Sequence, residues 1–111
     1  MNLDWTKKEF EAYVLLYAAH CNHIEDIAEQ NYIRTKVDEK IFHRIHSEVV
    51  VDSGQVNLNK IQLFISENQF SQEEKETLLR NIKQVLFADG SVDFFEQETF
   101  SILKKMIDYS H

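Results

Sequence analysis

The sequence predicts an all-α protein: a single compact bundle of about six helices, one domain over residues 1–111. Three observations carry this. Apolar residues recur at three- and four-residue spacing along most of the chain, and no strictly alternating stretch competes as a strand. There is no proline and there are only two glycines, Gly54 and Gly90, so little interrupts a helix. Short polar turns with helix-opening chemistry separate the apolar runs, and helices joined by short loops pack back on each other. A chain of 111 residues, 43% hydrophobic, buries enough surface for a core of its own.

The elements follow in order. Thr6 to Glu9, "TKKE", has the spacing of a capping box, in which the threonine hydroxyl and the glutamate carboxylate each satisfy an orphan amide. Phe10, Tyr13, Val14 and Tyr17 then fall on one helical face, and this first helix should end near His20 to Asn22. A second helix starts near Glu25 and carries Ile27, Tyr32 and Ile33. Thr35 to Asp38, "TKVD", is the expected start of a third, with Val37, Ile41, Ile45 and Val49 as its stripe, running to about Val51. "DSGQVN" should break it at Gly54. A fourth helix carries Leu58, Ile61, Phe64 and Ile65. Ser71 to Glu74, "SQEE", is the clearest capping box in the chain. It opens a fifth helix that buries Leu78, Ile82, Val85 and Leu86 and stops at Gly90. The last helix starts near Asp93 and packs Phe95, Ile102, Leu103 and Met106.

Composition excludes some classes of function. The formal net charge is −7, the wrong sign for a dedicated nucleic-acid or anionic-membrane binder. Lys7, Lys8, Arg80, Lys83, Lys104 and Lys105 leave room only for a local basic patch. No apolar run reaches the roughly 20 residues that span a bilayer. The N-terminal "MNLDWTKKEF" lacks an apolar signal core, and the lone Cys21 cannot form an internal disulfide, so the expected location is cytoplasmic. Phosphate loops, dinucleotide fingerprints and serine-nucleophile motifs are absent.

The acids gather in "LFADGSVDFFEQE", Leu86 to Glu98. With Gly90 at position 6 of an EF-hand loop, Asp89, Ser91, Asp93 and Glu96 fall at 5, 7, 9 and 12, where calcium loops place oxygens. Positions 1 and 3 fall on Val85 and Phe87, which carry no ligand, so the stretch is half of such a loop. Asp89, Asp93 and Glu96 form a candidate oxygen cluster for a divalent ion, with calcium, magnesium or manganese the suitable hard cations. The same letters have a metal-free use, because Asp93 and Glu96 have the spacing of a capping box. His20, Cys21 and His23 cluster at the first turn, and His43 and His46 stand three apart on the third helix. They could join in a zinc site, or Cys21 could serve as a nucleophile with His20 or His23, or all could be ordinary turn and surface side chains.

The acidic turn has a partial echo earlier in the chain. Ala18 to Tyr32 aligns with Leu86 to Phe100, Ile24 matching Val92, Glu25 matching Asp93, Ile27 matching Phe95 and Tyr32 matching Phe100. The two segments, "LLYAAHCNHIEDIAEQNYI" and "VLFADGSVDFFEQETFSILKKM", together resemble the paired hallmarks of the TerB-like family, which includes the tellurite-resistance protein TerB and the N-terminal domain of a membrane-anchored J-domain co-chaperone. The second hallmark is matched at Ala88, Asp89, Gly90, Val92, Asp93 and Glu96. The first keeps Ala18, Ala19 and His20, has Glu25 for its second acid, and departs at Cys21, Asn22 and Ala28. The resemblance implies a helical bundle with the two turns near each other, and a metal-binding or interaction role in stress response. The expectation is therefore a non-enzymatic module that binds another protein, with an optional divalent ion at Asp89, Asp93 and Glu96. A metal-free helical scaffold is the alternative, and a small Cys/His enzyme the third reading.

Overall fold

The computed structural model describes residues 5–20, 27–87 and 94–108. Six helices build it: α1 Lys7–His20, α2 Ile27–Lys36, α3 Glu39–Val51, α4 Gly54–Glu67, α5 Gln72–Leu86 and α6 Phe94–Asp108. No strand is present among the described residues, and none of their helices is long and apolar enough to cross a membrane. The architecture is an all-α bundle, as its apolar spacing predicts.

The Thr6–Glu9 and Ser71–Glu74 capping boxes both form, while Asp93 of the third spacing lies outside the described residues. Thr6 N–H donates to Glu9 Oε1 at 2.9 Å, and Glu9 N–H donates to Thr6 Oγ1 at 3.1 Å. Ser71 and Glu74 exchange the same pair of bonds at 2.9 and 3.0 Å. One helix start differs from the sequence expectation. Thr35 lies inside α2, its hydroxyl bonded to the Tyr32 carbonyl at 2.6 Å, and the cap of α3 is Asp38, whose carboxylate accepts from Ile41 N–H at 2.9 Å. The break expected in "DSGQVN" is present, because α3 ends at Val51, and it falls at Asp52 and Ser53 rather than at Gly54. Gly54 is the first residue of α4, and Ser53 caps that helix by accepting from Val56 N–H at 3.3 Å. The chain turns between α3 and α4 because Asp52 and Ser53 both take extended backbone.

α1 is the central element and touches each of the other five helices. Its predicted face, Phe10, Tyr13 and Val14, is buried with Tyr17 half-buried, but so are Ala12, Leu15, Leu16, Ala18 and Ala19 on other sides. A helix that is apolar nearly all round is an interior helix. The remaining helices show one buried face each where side chains are described. α3 buries Phe42, Ile45 and Val49; α4 buries Ile61, Phe64 and Ile65; α5 buries Leu78, Ile82, Val85 and Leu86. On α6, Leu103 and Ile107 are buried and Met106 is half-buried, whereas Ile102, expected inside, is exposed. The Phe95 side chain lies outside the described set. Aromatic rings close one end of the bundle: Phe10 stacks on Phe64 at 4.5 Å between centroids, and Trp5 lies 4.5 Å from Tyr13.

Candidate functional site

Of the acidic trio, Asp89 and Asp93 lie outside the described residues, and Glu96 stands in the first turn of α6. Its depth is the informative feature. Glu96 is only 3% exposed, and it lies on the same helical stripe as the buried Leu103 and Ile107, seven and eleven residues on. The two formed capping boxes give a comparison, since Glu74 is exposed and Glu9 half-buried. A carboxylate seldom enters a core unless a donor or cation meets it there, and the amino-terminal end of a helix favours negative charge. Val85 and Phe87, which stand at the first two ligand positions of the EF-hand register, serve packing instead. Val85 is buried inside α5, and the Phe87 ring lies 6.5 Å from that of Phe100. Glu96 is a hard oxygen donor suited to a divalent cation, but no group of three or more His, Cys, Asp or Glu side chains among the described residues is placed to hold one.

The histidines fall into separate settings. His20 closes α1, while Cys21 and His23 lie outside the described residues. His43 meets Glu39 one turn earlier at 2.9 Å, and His46 stacks on the Phe42 ring at 5.6 Å between centroids.

A polar cluster that sequence spacing does not reveal sits where the α3–α4 corner meets α1. The Tyr13 hydroxyl donates to Asp52 Oδ2 at 2.8 Å and accepts from the buried Asn57 Nδ2 at 2.7 Å. Lys60 Nζ donates to Asp52 Oδ2 at 2.7 Å and to Glu48 Oε1 at 3.1 Å. The ammonium also lies 5.8 Å from the Tyr13 ring centroid. Burial pushes the Tyr13 phenol well above its ordinary range, and the Asp52 carboxylate adds to this against the lowering effect of Asn57. For Lys60, burial opposes the charge, but the bonds to Asp52 and Glu48 outweigh it and its pKa is raised. Both groups therefore keep their protons at neutral pH, and neither serves there as a general base or nucleophile. The cluster is a clamp between helices.

Because both groups hold their protons more tightly folded than unfolded, their contribution to stability is fully present below about pH 10 and is lost as pH rises through the folded values. Spectrophotometric titration checks this. The folded chain at about pH 11 is expected to show less tyrosinate absorbance than the urea-unfolded chain, and Tyr13→Phe is expected to shrink the deficit. Equal tyrosinate in both states would mean that the hydroxyl is open to solvent.

Asn81 is a second buried polar link. Its Nδ2 donates to Glu11 Oε1 at 2.9 Å and its Oδ1 accepts from the Tyr32 hydroxyl at 3.3 Å, which joins α1, α2 and α5. Nearby, Lys7 bridges α1 to the α4–α5 turn. Its Nζ donates to the Gln69 carbonyl at 2.7 Å and to Glu74 at 3.0 Å, and lies 4.7 Å from the Phe70 ring centroid. A pocket of about 230 Å³ opens beside this bridge, between the amino-terminal halves of α1 and α5.

Fold and site together define a small all-α bundle with a buried acid at the start of its last helix. No protein-family model matches the chain, and no curated protein or solved structure matches it either.

Proposed function

We propose that this chain is a non-enzymatic TerB-like module that acts in stress response by binding another protein, with a divalent cation held at the turn of Asp89, Asp93 and Glu96. The observation that carries this reading is the burial of Glu96. The acid that ends the second hallmark segment lies on the apolar stripe of α6, deeper than the capping glutamates Glu9 and Glu74. Capping alone does not require that depth. The protonated Tyr13–Lys60 clamp supports the non-enzymatic part, because it commits those side chains to helix packing. Tellurite-related stress response rests on the family resemblance.

Calorimetric titration of chelator-treated protein with calcium, magnesium, manganese and zinc tests the ion. One of the first three is expected to give saturable heat, at least tenfold weaker in Asp89→Ala and in Glu96→Gln. A metal-free helical scaffold is the second reading. It is favoured by Thr6–Glu9 and Ser71–Glu74, which use the same three-residue spacing for capping alone. No heat with any metal would establish that reading and overturn the ion site.

A further inference from the structure

We infer that the pocket between α1 and α5 receives a basic side chain, arginine or lysine, from the partner protein. This rests on the protein-binding reading above but not on the ion. Its apolar lining is the buried Phe10 and Leu78 with the half-buried Phe70. Its rim carries Glu11, Glu73 and Glu74, against a single ammonium, that of Lys7. Lys7 is already committed to Glu74 and to the Gln69 carbonyl. Glu11 and Glu73 then leave the rim negative, and a cationic occupant completes the charge balance. An anionic ligand is disfavoured although α5 begins here, because the Ser71–Glu74 box already occupies that helix end with carboxylate and hydroxyl oxygens.

Size narrows the occupant. At about 230 Å³ the pocket is smaller than the roughly 300–1,000 Å³ of sites that enclose a drug-sized ligand. It suits one long side chain whose methylenes lie on the apolar lining while its charged head meets the rim. Lys7 displays the mode of recognition within the chain itself, since its ammonium is read by a carboxylate, a backbone carbonyl and the Phe70 ring together. Lys7 is also a like charge beside the incoming one, so it limits the affinity of the pocket.

The test is a titration of the isotope-labelled full chain, followed by amide NMR shifts, with the peptide acetyl-Ala-Arg-Ala-Arg-Ala-amide and with its neutral citrulline counterpart. The arginine peptide is expected to move amides of residues 7–11 and 69–78 saturably, and the citrulline peptide to bind at least tenfold more weakly. Glu73→Gln, at an exposed position, is expected to weaken binding several-fold, and Lys7→Gln to strengthen it. Shifts confined to other surfaces would overturn the pocket while leaving the protein-binding reading standing. Equal response to arginine and citrulline, indifference to Glu73→Gln, or no shift at all would overturn the pocket as well. The calorimetric arm reports on the acidic turn separately in every case.

Discussion

Leu15→Ala is expected to lower the unfolding free energy by about 3 kcal/mol, within the roughly 2–5 kcal/mol seen when an enclosed leucine is truncated. The side chain has no exposure to solvent, although it lies far round the helix from the stripe of Phe10, Tyr13, Val14 and Tyr17. Its burial follows from the place of α1, which is packed by α2, α3, α4, α5 and α6 together. Truncation removes transfer free energy and leaves a void inside the packing around α1, which relaxes only in part. Against a total of about 5–15 kcal/mol for a domain of this kind, the loss is large. Urea unfolding should show a lower midpoint with an unchanged slope. Ile102→Ala on the exposed side of α6 is the control, expected within about 0.5 kcal/mol of the parent. A loss below about 1 kcal/mol for Leu15→Ala would mean that α1 is an ordinary surface helix with one open face.

That contrast also marks what the amino-acid sequence makes legible. α5 is readable in its start and its apolar stripe, because a strong capping signal precedes Leu78, Ile82, Val85 and Leu86; it ends at Leu86, and Gly90, the expected stop, lies outside the described residues. α1 is readable as a helix but not as the centre, because periodicity identifies a face only when another face is polar. The Gly54 expectation fails in one respect only: the chain breaks within "DSGQVN" as expected, but at Asp52 and Ser53, because glycine marks a break only where the backbone needs it. Here the neighbouring Ser53 supplies the cap, and an added Cβ at Gly54 would meet nothing within 4 Å. Thr35 fails similarly, since a hydroxyl that can cap a new helix can equally bond back to the preceding turn of an old one. Asn57 and Asn81 are buried polar residues that a helical pattern assigns to the surface. Their partners Tyr13 and Glu11 lie 44 and 70 residues away, beyond any local pattern. At the candidate site, the spacing of the acids singles out Glu96. Its depth depends on how α6 rolls against its neighbours, which no local motif fixes.

The second large effect is expected at Asp52. Asp52→Ala should cost about 2–3 kcal/mol, a little below the roughly 3–5 kcal/mol of breaking a fully buried pair. The discount has two causes. The Asp52 and Lys60 side chains keep 15% and 14% of their exposure, and Glu48 remains as a second acceptor for Lys60. What makes the residue costly is that one oxygen, Oδ2, accepts from both the Tyr13 hydroxyl and the Lys60 ammonium. Its removal leaves a desolvated phenol and a largely covered cation short of the same acceptor, while Asn57 stays held to the phenol. Lys60→Met should be milder, since the methionine fills much of the same space and Asp52 keeps the Tyr13 bond. The double substitution should be more stable than the sum of the two losses, because the ammonium that Asp52→Ala leaves with only Glu48 is gone. Urea unfolding of the four proteins measures the coupling. Strict additivity would mean that the two charges contribute independently, and the corner between α3 and α4 would then be held to α1 by the Tyr13–Asn57 bond and apolar packing.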